Sequence, residues 1–117
     1  MSITTAVDVQ VLWDMWLLLR KQGIKDKCSI RVFEGALYSL MDDEDFYEYR
    51  GCRKRINIIL SLWDDIRLFA LKDEVQQGWA SRTIQRTEEE QSRVEELSDQ
   101  FHEWMVKLML RLAEEQD

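Results

Sequence analysis

The sequence contains no proline in 117 residues and only four glycines. All-β folds need frequent turns, and turns are built largely from glycine, proline, asparagine and aspartate. A chain with so few reversal signals is expected to form a small number of long helices. Its length suits one hydrophobic core, so the sequence predicts a single all-α domain over residues 1–117. We expect a four- to five-helix bundle with two long antiparallel helices.

Apolar residues recur at spacings of three and four from residue 4 or 5 to residue 22, which is the period of an α-helix. They are Val7, Val11, Leu12, Met15, Trp16, Leu18 and Leu19. Gly23 follows and readily takes the left-handed conformation that ends many helices. Arg20 and Lys21 lie just before it, where the helix dipole stabilises positive charge. The first helix is therefore predicted to stop at Gly23.

Two more helices are predicted in the middle of the chain. Ser29 has the side chain of an N-cap for a helix that ends near Met41. A third helix is predicted over residues 46–75, and the acidic residues 42–45 favour a helix start there. Gly51 is the one weak point in this helix, and the sequence leaves open whether the helix breaks there.

The last helix has the clearest signal for its start. Gln77 and Gly78 mark a corner, and residues 79–86 fit either a loop or a helix. Thr87 and Glu90 then have the spacing of a capping box. The apolar positions that follow are Val94, Leu97, Phe101, Trp104 and Leu108. This alternation of three and four is typical of the seam between packed helices.

Five tryptophans are many for this length, and two or three of them are expected in the core. Residues 17–19 make the first helix apolar around almost its whole circumference, and a small bundle rarely has a central helix to bury such a surface. Trp and Met are also enriched in protein interfaces. We therefore predict that an apolar surface binds a second copy, as a homodimer, or another protein partner. The candidate interface residues are Trp13, Trp16, Trp104, Met105 and Met109.

Charge is segregated along the chain, whose formal net charge is −7. The first half of the last helix has an acidic face. Its candidate partner-binding residues are Glu88, Glu89, Glu95, Glu96, Asp99 and Glu103. Such a run is commonly no more than a solvated helix surface. The functional interpretation is a surface that docks on a basic groove or imitates a phosphate backbone, with fast and salt-dependent association.

A basic cluster contrasts with this acidic face. It consists of Arg50, Arg53, Lys54 and Arg55, and Tyr47 and Tyr49 precede it. Aromatic rings beside cations can stack on bases while the cations hold phosphates, so nucleic-acid binding is the alternative function. The other interpretation is that these cations pair with acidic residues in 42–48, one or two turns away. The net charge of −7 disfavours nucleic acid as the partner.

The sequence predicts no catalytic residue, metal site or cofactor. Asp99 and His102 have the spacing of one half of a di-iron carboxylate motif, but a second Glu-x-x-His motif is required and His102 is the only histidine. No glycine-rich phosphate loop is present. Cys28 and Cys52 are too few for a disulfide framework or a four-ligand zinc site, which indicates a reducing compartment.

The remaining sequence features concern location and membranes. Residues 1–5 lack the charged start and cleavage site of an export signal. The most apolar stretch, residues 7–19, is interrupted by acidic residues and falls short of the roughly 20 residues that a membrane span requires. We expect a cytoplasmic protein, or a nuclear one in a eukaryotic cell, that has no membrane partner.

These features predict a non-catalytic protein-binding protein, namely an inhibitor, adaptor or assembly subunit. It would act through an apolar-aromatic helical surface flanked by acidic residues. Immunity proteins are often built this way, and so are viral and mobile-element counter-defence proteins, which act in host–virus interaction. This is an analogy with a type of protein and is not inferred from particular residues. The alternative is a nucleic-acid-binding subunit of a ribonucleoprotein or regulatory complex that uses the basic residues in 50–55.

Overall fold

The computed structural model describes residues 3–49, 51–70 and 83–114, and the all-α class predicted from the sequence is confirmed for them. The helices are α1 (Ile3–Lys21), α2 (Lys27–Met41), α3 (Glu44–Tyr47), α4 (Cys52–Ala70) and α5 (Glu88–Glu114). Within these ranges no strand forms, and one isolated bridge joins Asp26 to Thr83.

The predicted end of α1 is confirmed at Gly23. This residue has a φ of 77°, and its backbone N–H donates to Arg20 O at 3.0 Å. The next N–H, of Ile24, donates to Leu19 O at 3.1 Å. These two bonds form a Schellman motif, in which a left-handed residue allows the last carbonyls of a helix to be satisfied.

The N-cap of α2 corrects the prediction. Asp26, not Ser29, occupies the cap: its Oδ2 accepts from the Ser29 N–H at 3.0 Å and from the Ser29 hydroxyl at 2.6 Å. Asp26 has the extended backbone of a cap residue, whereas Ser29 is already helical. The carboxylate can accept both bonds at once, so the helix begins three residues earlier than Ser29 alone suggested.

The helix predicted over residues 46–75 is broken at Gly51, which has a φ of 80°. One turn, α3, precedes the break, and Asp43 caps it by accepting from Phe46 N at 3.0 Å. α4 follows the break directly at Cys52. A left-handed residue cannot continue a right-handed helix, and glycine takes that conformation at little cost. The corner predicted at Gln77 and Gly78 lies outside the described residues.

The capping box predicted at the start of α5 is confirmed. Glu90 N donates to Thr87 Oγ1 at 3.2 Å, and Thr87 N donates to Glu90 Oε1 at 3.0 Å. Of residues 79–86, which the sequence left open between loop and helix, the described residues 83–86 are not helical. The buried face of α5 is Val94, Leu97, Phe101, Met105, Leu108 and Leu112. Met105 therefore takes the core position that the sequence pattern predicted for Trp104, which is half-buried.

Four aromatic side chains meet at the centre of the core, one from each long helix: Trp16 of α1, Phe33 of α2, Trp63 of α4 and Phe101 of α5. The ring centroids of Trp16 and Phe101 lie 4.5 Å apart, and those of Phe33 and Trp63 lie 5.1 Å apart. Trp63 and Phe101 lie 5.9 Å apart. All four side chains are fully buried, so this aromatic cluster fixes which face of each helix points inward.

At one end of the molecule, Arg86 joins three separate segments. Its Nη1 donates to Gly23 O at 3.3 Å and to Gln91 Oε1 at 3.0 Å, and its Nη2 donates to Ile24 O. Its Nε donates to Phe69 O at 3.3 Å. The guanidinium thus donates to carbonyls just after α1 and in α4 and ties both to the first turns of α5.

We expect Arg86→Ala to lower the free energy of unfolding by about 1.5–3 kcal/mol, because hydrogen bonds from a charged donor are lost and carbonyls are left unpaired. Arg86→Lys should recover only part of this, because an ammonium group cannot reproduce the planar fork of donors. The matched control is Arg93→Ala, which removes an exposed pair with Glu96 and should cost under about 0.5 kcal/mol. Urea unfolding of the three variants measures these differences, and equal losses in Arg86→Ala and Arg93→Ala would contradict the assignment.

Candidate protein-binding surface

Large aliphatic side chains are exposed along one face of α1 and on the neighbouring helix α2. Val7 is 55% exposed, Val11 50% and Leu18 57%, and Val32 of α2 is 62% exposed. Val7 and Val11 are one turn apart, and Leu18 lies two turns further on, so the three share a face. We call these four residues the apolar stripe.

A groove between α1 and α2 runs beside the apolar stripe. One half of the groove is lined by Met15, Leu18, Leu19, Gln22, Cys28, Ser29 and Val32. The other half is lined by Asp8, Val11, Leu12, Ala36, Ser39, Leu40 and Asp43. Monomeric proteins seldom expose contiguous apolar surface without a binding role, so the stripe and this groove are the strongest candidate site among the described residues.

The structure corrects two of the predicted apolar interface residues. Trp16 and Met105 are fully buried in the core, where a partner cannot reach them. Trp13, Trp104 and Met109 are half-buried and remain accessible in part. The surplus apolar surface of α1 therefore consists of aliphatic side chains, because the aromatic rings pack inward, where they bury the most surface.

A polar contact explains how the first and last helices hold Trp16. Its Nε1 donates to His102 Nδ1 at 3.1 Å, and the ring of Trp13 stacks on the His102 ring with centroids 5.4 Å apart. Beside them, Arg20 Nη2 donates to Asp99 Oδ1 at 2.5 Å. Because Nδ1 is the acceptor, the ring is neutral and holds its proton on Nε2.

Burial lowers the pKa of His102 below its ordinary value of 6.5. The positive charge of Arg20 lowers this pKa further, and the carboxylate of Asp99 opposes the shift. All three effects act on a ring whose neutral form accepts the Trp16 N–H. Protonation of Nδ1 would remove this acceptor, so the contact between α1 and α5 depends on the charge state of His102.

We expect the wild type to lose more stability than His102→Gln as the pH falls from about 8 to about 5. A folded-state pKa below the unfolded one means that the stabilising contribution is complete above the unfolded pKa of about 6.5. It is lost as the pH falls through the folded pKa. Urea unfolding across this pH range measures the difference, and since His102 is the only histidine, parallel profiles for the two proteins would rule the effect out.

The six predicted residues of the acidic face are all exposed on α5. Three of them have cationic partners. Asp99 binds Arg20, Glu96 lies 3.3 Å from Arg93 Nη1, and Glu103 lies 3.7 Å from Lys107 Nζ. Part of the negative charge is thus compensated on the same molecule, and the rest is carried by the residues nearest the start of the helix, namely Glu88, Glu89 and Glu95.

The basic cluster is partly paired with its neighbours. Arg53 forms a salt bridge with Glu48 and lies over the ring of Tyr47, 5.1 Å from its centroid. Arg55 Nη1 donates to Gly51 O at 3.1 Å, whereas Lys54 is exposed. Tyr49 is half-buried, and Arg50 lies outside the described residues. The pairing with residues 42–48 that the sequence suggested is therefore present at Arg53.

Metal binding and membrane insertion find little support in the part of the chain that is described. No group of three or more His, Cys, Asp or Glu side chains comes close enough there to hold a metal ion. Cys28 is exposed beside the groove and Cys52 is buried, and neither forms a disulfide bond. Among the described helices, none has the length and apolarity needed to cross a membrane.

Comparisons with protein families, with curated proteins and with solved structures gave no significant match. Sequence reasoning did not name Val7, Val11 and Val32 as surface residues, although it placed the first two in the apolar repeat of the first helix. The available signal was that α1 has more apolar positions than one inward face can hold.

Proposed function

We propose that this chain is a non-catalytic protein-binding protein that acts as an inhibitor, adaptor or assembly subunit. The observation that carries the proposal is the apolar stripe of α1 and α2, with acidic residues at one end of its groove. Fully burying a Val or Leu side chain is worth about 1.5–3 kcal/mol, so covering four half-exposed ones would contribute about 3–6 kcal/mol. A surface whose burial would contribute this much free energy is typical of a binding site.

The proposed architecture behind this surface is a bundle of the four long helices, with α4 and α5 as the long antiparallel pair. Two contacts support it. Arg86, just before α5, binds Phe69 late in α4, whereas Phe101, further along α5, meets Trp63, which is earlier in α4. Contacts whose positions run in opposite directions along two helices are those of an antiparallel pair. We further propose a cytoplasmic or nuclear location, for which cysteines outside disulfide bonds are typical.

The test of this function replaces Val11 and Leu18 by Gln together. Gln is a good helix former and adds no charge, so the helix should persist while the stripe becomes polar. Protein partners that co-purify from the source cells, quantified by mass spectrometry, should fall about tenfold or more, which corresponds to about 1.4 kcal/mol.

The matched control replaces Leu68 and Leu110 by Gln. These leucines are 70% and 60% exposed, on α4 and α5, and thus resemble the stripe in exposure but lie elsewhere. Partner recovery should stay at the wild-type level in this variant. Equal recovery with the stripe variant and with wild type would overturn the proposed site, provided that circular dichroism shows both variants folded.

Nucleic-acid binding is the second candidate function, and the exposed Lys54 beside the stacked pair of Arg53 and Tyr47 is what favours it. We expect the triple variant Arg53→Glu, Lys54→Glu and Arg55→Glu to behave like wild type on immobilised single-stranded DNA or RNA at low salt. Retention of wild type that this variant loses would instead support nucleic-acid binding, since phosphate contacts are strongest at low salt.

A further inference from the structure

The α1–α2 corner, residues 22–26, has an unusual backbone. Ile24 has a φ of 56°, and in the part of the chain that is described it is the only residue other than glycine with a positive φ. In this left-handed region the Cβ of an L-residue lies too close to a neighbouring carbonyl oxygen. For a β-branched residue such as isoleucine this conformation is a genuine outlier. The backbone at Ile24 is therefore strained.

The carbonyl groups on either side of this strained bond accept hydrogen bonds from side chains near the start of α5. Gly23 O accepts from Arg86 Nη1 and from Gln91 Nε2, both at 3.3 Å. Ile24 O accepts from Arg86 Nη2. A rotation about φ of Ile24 turns the Gly23 carbonyl away from the Ile24 carbonyl. One guanidinium can therefore bind both only over a narrow range of φ, and Arg86 favours the left-handed conformation.

Residues 83–86, which we call the strap, lie along the next part of the corner. The backbone N–H of Ile84 donates to Lys25 O at 2.8 Å. The side chains of Ile24 and Ile84 are both buried, with exposed fractions of 1% and 4%. Three consecutive carbonyls of the corner thus face donors of residues 84–91, and the strap covers the apolar side chain at the strained position.

We infer that Arg86 is a latch. It holds the α1–α2 corner in its strained conformation, and when it releases, the corner and the strap open together while the long helices stay packed. Residues other than glycine are kept in a left-handed conformation only where their surroundings impose it, and such positions are frequent in segments that switch. The opening breaks the contacts of Arg86 and Ile84 with the corner but leaves the aromatic cluster intact, so it is a local event.

The strain makes the open state more accessible. Once Arg86 has released the corner, Ile24 is free to take a negative φ. The relief of one left-handed L-residue favours the open state by about fivefold to thirtyfold. The carbonyls that Arg86 leaves then bond to water, so the net loss from each hydrogen bond is much smaller than its intrinsic strength.

The opening would change a pocket between α1 and α5. The corner contributes Gly23 and Ile24 to its wall, and α5 contributes Val94 and Ser98. Opening of the corner would enlarge this pocket and add the apolar surface of Ile24 to it. The pocket shares no lining residue with the groove between α1 and α2. The latch therefore stands whether or not that groove binds a protein.

Native-state hydrogen exchange tests the opening in the unmodified protein. The Ile84 N–H should be protected at least about tenfold less than the N–H of Phe101, in the middle of α5. Its exchange should not respond to low urea concentrations, because a local opening exposes little surface, whereas exchange at Phe101 should accelerate. The same urea dependence at both amides would mean that the corner opens only when the whole protein unfolds, which overturns the inference.

The strain is tested by two variants that differ in one methyl group. Ile24→Gly and Ile24→Ala both lose the buried side chain, but only alanine is strained at a positive φ. The folded-to-unfolded ratio in urea should be about threefold to tenfold higher for the glycine variant. A higher ratio for the alanine variant would show that no strain is stored at this position.

The matched control for this pair is Gly35, which is helical, exposed and has open space where a Cβ would lie. Gly35→Ala should raise the folded-to-unfolded ratio about fivefold, because alanine is favoured over glycine in an ordinary helical conformation. The order of glycine and alanine should thus be opposite at residues 24 and 35.

A second background assigns the strain to Arg86. With Arg86→Ala, the difference between Ile24→Gly and Ile24→Ala should fall below about twofold, because the corner is then free to relax. An unchanged difference would overturn Arg86 as the latch. A single variant gives an independent answer: Arg86→Lys should lower the protection of the Ile84 N–H about fivefold or more, whereas Arg93→Ala should leave it unchanged. Unchanged protection in Arg86→Lys would also overturn the latch.

Discussion

The contact between Trp16, Phe33, Trp63 and Phe101 is the constraint on which the rest of the molecule depends. Each long helix gives one ring to this cluster, with centroid distances from 4.5 to 6.2 Å. A buried aromatic side chain removes more surface from water than any aliphatic one, so these four positions define the inward face of each helix. Once Trp16 points inward, Val11 and Leu18 are turned toward the surface beside α2.

Polar contacts at the edges of this core set how the helices sit against one another. His102 accepts from Trp16, Glu34 accepts from Arg67, and Arg86 donates to the carbonyls of Gly23 and Phe69. Trp63 differs from these residues. Its Nε1 is a buried side-chain nitrogen that finds no hydrogen-bond partner among the described residues, so the cluster keeps an indole there at some cost for the sake of its packing.

The groove and the acidic face lie on different parts of the molecule. The groove between α1 and α2 is lined mainly by apolar side chains, with Asp8 and Asp43 at one end. The exposed face of α5 carries mainly negative charge, some of it balanced by Arg20, Arg93 and Lys107.

The sequence by itself determined the helical class, the stop of α1 at Gly23 and the capping box at Thr87. These features depend on residues three to five apart, whose interactions are the same in any helix of this sequence. It also identified Gly51 as the weak point of the predicted third helix but did not decide whether the helix breaks there. A glycine is tolerated in a helix at a cost of about 1 kcal/mol, which packing can offset.

Only the tertiary structure decided which apolar residues are core and which are surface. In α1 the hydrophobic period allows more than one inward face, and the choice depends on contacts with α5, such as those of Trp16 with His102 and Arg20 with Asp99. The partners in these two contacts are 86 and 79 residues apart in sequence. Local spacing carries no information about such pairs, because loop closure and packing bring them together only in the folded chain.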